Sequence, residues 1–391
     1  MKYWRGYITA ALMVLIAVAV TNFAAAHSAL ADMVYPYASR MIQDFLAVWT
    51  SGVDFLLWQV LAIALVVLAI SSLVLMIIFR WNFIQWLGWI LAGVSFIWCM
   101  HTGLYGLNQY CSPLSQDIRL TIDADITTTD LVNSTTYFRD KANELALLVP
   151  RNPDGSLNAP SFKETAEAAA DGFEDLVYEQ NFAVFAGETV PVKELGWADM
   201  YSSMGIAGVT MPLTGEAAVN PNTPAISLPF TICHEMAHRM CIAPERDANL
   251  AAFLATTANS DPVYQYSGYF MAFRYCYNAL ASLSTSTAAA AANRIYDGMN
   301  DALRGDIEHY RTYLISVQDP DASKLASSVN DAYIQASGDS SGVRSYGEVT
   351  DLLISWYLQE IYLPAHEDEV TEDKFDPLDK EDVFTEEVMG G

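Results

Sequence analysis

The hydrophobic pattern divides the chain near residue 105. Before that point three stretches, residues 7–26, 55–79 and 83–104, stay apolar over the roughly 20 residues that a helix needs to cross a bilayer. Only Arg80 to Asn82 separates the second stretch from the third, which predicts a tight helical hairpin. Trp86, Trp89 and Trp98 of the third suit the membrane interface. Residues 31–54 carry Met41, Phe45, Leu46 and Trp49 on one side of a helical repeat. That spacing fits a short interfacial helix and, equally well, an ordered connecting loop.

After residue 105 charged positions become frequent and turn signals appear, among them Asn152-Pro153-Asp154-Gly155. A helical period over 129–148, 161–178, 285–317, 322–336 and 347–363 predicts helices. Strand signals are few: 190–192, and 216–220 after the turn Leu213-Thr214-Gly215. The chain reads as mainly α. It has a membrane domain with three transmembrane helices (1–104), a mostly helical domain with a small β-sheet (105–363) and a C-terminal tail (364–391).

Charge sharpens this picture. Forty-six acidic residues face 20 basic ones, a net charge of −26, yet 52% of the chain is hydrophobic and only 17% charged. The apolar excess must sit in a few segments, which is the signature of a membrane protein with an acidic water-facing part. Nucleic acid is excluded as a partner, because phosphate contacts need a basic surface. Residues 367–391 hold 11 acidic and 2 basic residues and read as a disordered, solvated tail. Lys2 and Arg5 precede the first span and Arg80 lies in the hairpin turn. Basic flanks favour the cytoplasm, so everything after residue 105 is expected outside the cell membrane. If the first span is instead a cleaved signal peptide, two spans remain and the domain is still outside.

Five cysteines include Cys99 in the third span, and no CxxC pair occurs, so disulfide pairing is not readable. Cys233, beside a histidine, reads better as a small buried hydrophobe than as a thiol nucleophile.

The chemistry concentrates in residues 230–254. His234-Glu235-x-x-His238 puts two imidazoles at i and i+4, on one helical face, where both reach one metal ion. Glu235 is then placed to act on a metal-bound water. A catalytic zinc site needs a third protein ligand and an open position. Cys241-Ile242-Ala243-Pro244 breaks the helix, and a second begins at Glu245. Glu245 is the favoured third ligand, because Asn249 then falls on the same face and is expected to orient a ligand histidine. Asp247 is the competing candidate, or a supporting acid. A purely structural zinc would need a fourth ligand from Cys233 or Cys241, and neither shares the face of the two histidines. Tyr266, Tyr269 and Arg274 follow as candidate transition-state stabilisers, with an aromatic packing stripe as the plainer reading. His27, His101, His309 and His366 have no ligand-spaced partner and read as structural or surface residues.

The acidic-x-x-Ala-Asn run after the histidines resembles the zinc peptidases whose third ligand lies in a Glu-x-x-Ala-Asp/Asn motif on the next helix, the gluzincin-like group. More closely, the chain is similar to a domain-of-unknown-function family of bacterial membrane proteins with N-terminal spans and an extracytoplasmic HExxH domain. The matching pieces are Val34-Tyr-Pro, Gly103-Leu-Tyr-Gly-Leu-Asn108 through Pro113-Leu114, Gly215-Glu-Ala-Ala-Val-Asn220 and Leu228-Pro-Phe-Thr-Ile-Cys-His234. Further on they are Tyr266-Ser-Gly-Tyr269 through Asn278-Ala-Leu280, and Ser345-Tyr-Gly through Trp356-Tyr357. One departure is Arg246-Asp247, where an Asp-Glu pair is more usual. The resemblance implies a zincin-like fold and a membrane-anchored zinc peptidase that hydrolyses a peptide or protein substrate. It implies one Zn2+ held by His234, His238 and Glu245, with Glu235 as general base. By analogy, residues Glu216, Ala217, Ala218, Val219 and Asn220 would form an edge strand that binds extended substrate. The alternatives are a non-catalytic metal-binding sensor or scaffold at the surface, and another zinc amide hydrolase acting on cell-wall peptide. An intramembrane protease is disfavoured, because the segment around His234 is too short to span.

Overall fold

The computed structural model describes residues 2–122, 125–336 and 345–366. The acidic tail expected beyond them lies outside the described residues. Four helices open the chain: α1 (Arg5–Ala26), α2 (Ser28–Thr50), α3 (Leu57–Ile78) and α4 (Phe83–Leu104). Of these, α1, α3 and α4 are long and apolar enough to cross a membrane, in agreement with the three expected spans. Gly6 and Tyr7 of α1 lie directly against Gly88 of α4, so closely that a Cβ on Gly6 would overlap the α4 backbone. Both glycines sit in the first two turns of their helices, so α1 and α4 run parallel. Ala10, Ala17 and Ala24 of α1 and Ala92 of α4 are buried. In lipid, where apolar burial gives no drive, such small residues let backbones pack. The N-terminus and the hairpin turn thus share one end, with Asn82 capping α4 by accepting from Gln85 N at 3.0 Å. The other end carries α2 and the rest of the chain.

The segment between the first two spans is helical, not a loop. Its polar and small face, Ser39, Gln43, Ala47 and Thr50, is buried. Met41, Phe45 and Trp49 are exposed, as the interfacial pattern predicts, and Met33 and Tyr37 extend that apolar face, whereas Leu46 turns half-buried toward Gly215. Hydrogen bonds tie the buried face to the large domain: Gln43 Nε2 donates to Pro212 O (3.0 Å) and Arg40 Nη1 to Met240 O (2.9 Å). Ser39 Oγ donates to Leu104 O at the end of α4 (2.7 Å).

The domain then runs α5 (Leu114–Asp117), α6 (Thr128–Ala146), α7 (Phe162–Tyr178), β1 (Lys193–Glu194), α8 (Ala198–Ser203), β2 (Gly208–Met211) and β3 (Glu216–Val219). It continues with α9 (Leu228–Arg239), α10 (Glu245–Ala258), α11 (Pro262–Ser282), α12 (Ser286–Asp297), α13 (Asp301–Val317), α14 (Pro320–Ala336) and α15 (Ser345–Tyr357). Capping boxes start α6 (Thr127 with Asp130) and α7 (Ser161 with Glu164). The core lies where α9, α10 and α11 meet α6, α7 and α15. Phe138, Phe253, Phe270 and Phe273 are buried there, and the Phe253 and Trp356 rings pack edge to face with centroids 4.8 Å apart.

Three expectations need correction. The helix read over 285–317 is two, because Asn300 Oδ1 accepts from Leu303 N (2.8 Å) and starts α13 afresh. The strand read at 190–192 begins at Lys193 instead. Pro191 has no N–H to donate, and the Val190 carbonyl accepts from the Arg239 guanidinium. The strand read at 216–220 exists, but it is not an edge. The sheet order is β1-β3-β2, with β1 parallel and β2 antiparallel to β3, so β3 is central. Its four residues are all buried.

Glu216, the first residue of β3, does something the sequence did not suggest. Its carboxylate accepts from the backbone N–H of Leu57 (2.8 Å) and Trp58 (2.9 Å), the free donors at the start of α3. Lys193 Nζ completes a buried pair at 2.8 Å. Removing one member of a buried pair typically costs about 3–5 kcal/mol. Lys193 keeps the carbonyls of Thr50 and Phe55 as partners, so Glu216→Ala is expected to cost roughly 2–4 kcal/mol. Denaturant unfolding of the full chain in detergent checks this, and a change within about 0.5 kcal/mol would show the junction to be unimportant.

Candidate metal centre

The face of α9 that bears Ile232, Cys233, Met236 and Ala237 is buried in the core. His234 and His238 therefore point the other way, and their rings stand nearly perpendicular with centroids 4.6 Å apart. The helix ends in a Schellman-type turn: Cys241 N donates to His238 O (2.9 Å) and Ile242 N to Ala237 O (3.1 Å). Cys241 takes a left-handed φ of 68° to make it. The reversed chain starts α10 at once and brings Glu245 back over the histidines. His234 Nε2 lies 3.3 Å from Glu245 Oε2, and His238 Nε2 lies 3.6 Å from Glu245 Oε1. The three donor atoms all fall within 4.8 Å of one another. Two imidazoles and a carboxylate at this spacing could hold one divalent ion of the zinc type.

The same turn orients a candidate ligand. Ile242 O lies 2.9 Å from His238 Nδ1. A carbonyl can only accept, so Nδ1 carries the proton and Nε2 is left free to coordinate. The Tyr105 hydroxyl, just past α4, comes within 3.5 Å of the same nitrogen.

Glu235 is buried, 6% exposed, beside β2. Thr210 Oγ1 lies 2.7 Å from its carboxylate and 3.0 Å from its carbonyl. Gly208 makes room for it, since a Cβ there would overlap the Glu235 carboxylate. Burial pushes the Glu235 carboxyl above its ordinary value, and His234, His238 and the Thr210 hydrogen bond only partly offset that.

The other expected residues divide. Asn249 does not reach a ligand histidine. It stands one turn beyond Glu245 on the same helix, so its Nδ2 donates to Glu245 O (2.9 Å), and its Oδ1 accepts from Tyr275 OH (3.0 Å). It braces the backbone of Glu245. Asp247, two residues on from Glu245, faces the far side of α10 and accepts from Leu114 N at 3.1 Å. It is not among the three side chains that converge. Tyr266 is fully buried and donates to Asp306 Oδ2 (2.5 Å), which also pairs with Arg151 (2.7 Å). Tyr269 packs among Tyr137, Phe138 and Phe253. Both tyrosines belong to the core, as the packing-stripe reading has it. Arg274 alone of the three lines the cavity, stacked on Tyr310 at 4.2 Å. Cys233 is buried, and all five cysteines are free thiols.

The site opens into a cavity of about 1050 Å³. Thr210, Tyr105, Tyr275 and His101 line it, and none of these was singled out from the sequence as part of a site. His101, read there as structural or surface, stands in the last turn of α4. Strand β2, one of the two edges of the sheet, lines the cavity along its whole length.

A family model described as Protein of unknown function (DUF3810) matches residues 31–354. The chain belongs to this family. The matched part takes in α2 from Ala31, both later spans and all of the histidine–glutamate cluster, while α1 precedes it. No curated protein and no solved structure matches the DUF3810 chain.

Without an ion, burial pulls the His238 imidazole down, but the Glu245 carboxylate beside it more than offsets this and lifts it to about 9. Burial in turn pushes Glu245 up, and the two histidines hold it well below the carboxylate range. A metal must therefore displace a proton from His238 at any pH below about 9. Metal affinity should rise about tenfold per pH unit toward that value and flatten above it. A chelator-competition titration across this range reads the slope, and an affinity independent of pH would contradict the coupling.

Proposed function

We propose that this DUF3810 protein is a membrane-anchored zinc peptidase, with His234, His238 and Glu245 as ligands and Glu235 as general base. The observation that carries the reading is the convergence of three donor atoms within 4.8 Å beside a buried carboxylate on the same helix. When bound, zinc supplies a water of lowered pKa and a Lewis acid toward the scissile carbonyl. Glu235 takes up the water proton at its carboxylate and passes it to the leaving amine. Its raised pKa, set by burial, brings a carboxylate closer to the neutral range in which a base both accepts and returns a proton. Thr210 fixes its orientation.

The substrate-binding strand in this reading is β2, not β3. It alone combines a sheet edge with a cavity-lining position, so an extended peptide can pair with its backbone and lie across the cluster. Arg274 remains the candidate for steadying the developing oxyanion. The N-terminus and the hairpin turn share one end and carry Lys2, Arg5 and Arg80, which favours that end in the cytoplasm and the cavity outside.

A scaffold that merely binds metal has no use for a base. Glu235→Gln should leave zinc content and unfolding unchanged and lower hydrolysis by about 10²–10⁴-fold. Gly208→Ala should act in the same direction by displacing the carboxylate. Peptide-library turnover by the zinc-loaded full chain measures both, and undiminished turnover in Glu235→Gln would remove the peptidase reading.

A further inference from the structure

We infer that the substrate is a polypeptide anchored in the same membrane and cut close to its anchor. The inference rests on the peptidase reading and names the substrate class for that site.

Two independent features support it. The first is where the cavity sits. One wall comes from the end of a spanning helix: His101 in the last turn of α4, then Tyr105, Gly106 and Gln109 directly after it. Tyr105 is close enough to touch the His238 ring, at 3.5 Å. A single tyrosine side chain therefore separates the metal ligands from the backbone that leaves the bilayer. The site is not held away on a stalk.

The second is α2. It starts two residues after α1 ends and stops seven residues before α3 begins, so both of its ends lead straight into spans. Its polar face bonds to the domain through Arg40 and Gln43, and to the end of α4 through Ser39. Its other face exposes Met33 (71%), Tyr37 (76%), Met41 (69%), Phe45 (70%) and Trp49 (65%). A stripe of this kind, joined at each end to a spanning helix, suits the boundary between headgroups and acyl chains. With its apolar side in the interface, α2 keeps the underside of the domain, and the cavity beside α4, at the lipid surface.

A free peptide gains nothing from this placement. A chain that emerges from the same bilayer is confined to the layer where the cavity lies, and effective concentrations from such tethering raise turnover by about 10²–10⁴-fold. At ~3.3 Å per extended residue the first ten residues beyond the anchor span about 33 Å, and this is the window in which cuts are expected.

The test uses the full zinc-loaded chain in liposomes, with a single-span carrier whose outer juxtamembrane segment is a random library of about forty residues. The same library is offered free in solution at equal total concentration. Cut positions are mapped by mass spectrometry, and Glu235→Gln serves as the blank. We expect cuts that crowd into about the first ten residues after the span, and free segments cut at least roughly 100-fold more slowly. Cuts spread evenly along the anchored segment would overturn the inference, as would free segments cut as fast as anchored ones. Either result leaves the peptidase reading standing. No cut in either form would overturn both.

Discussion

The turn from Met240 to Pro244 is the constraint on which the site depends. Two histidines one helical turn apart supply only one side of a metal site, and the third donor has to come back from elsewhere. Here the chain reverses within five residues. Two backbone hydrogen bonds close α9, Cys241 adopts a left-handed conformation, and Pro244 leads into a helix whose first residue is the third donor. A non-glycine residue in that conformation costs on the order of 1 kcal/mol. The buried faces of α9 and α10 supply the packing that holds it. The Ile242 carbonyl freed by the reversal is the group that orients His238. From outside, Arg40 of α2 donates to the Met240 carbonyl at the same turn (2.9 Å). A helix that lies between two long apolar helices thus braces the backbone on which the cluster is built.

Carboxylates make the same connection at three further places. Glu216 receives the first N–H groups of α3, Asp247 receives that of Leu114, and Asp32 of α2 receives that of Ser112 at 2.6 Å. Each acid satisfies backbone donors just before or shortly after one of the long apolar helices, and each lies far away in sequence. The change in composition near residue 105 is real, yet the hydrogen bonds cross it. α2 belongs physically to the large domain, although it sits between two helices long and apolar enough to span a membrane.

What could be read from the sequence was local. The three spans follow from the length of their apolar runs. His234 and His238 follow from a four-residue spacing, and Glu245 from a proline that ends one helix just before the next. What could not be read was tertiary. Gly208 and Thr210 lie about 25 residues before Glu235 and meet it only through the sheet. The strand at Glu216 has an unmistakable turn before it, but nothing local says that β1 will flank it and make it central. Tyr266 and Tyr269 sit on a helix apolar nearly all round, so its periodicity does not show which face meets the cavity. The period over 285–317 carries on across a three-residue break and hides the cap at Asn300. The family match agrees with the family of unknown function expected from the motifs, and it leaves the peptidase chemistry to be argued from the cluster alone.

The most direct test is the zinc content of the purified full chain after reconstitution, beside His234→Ala, Glu245→Ala and Asp247→Ala. The cluster predicts about one zinc per chain in the parent and in Asp247→Ala, with loss in the other two. Zinc lost from Asp247→Ala but kept in Glu245→Ala, or absent from the parent, would contradict the geometry on which the account stands.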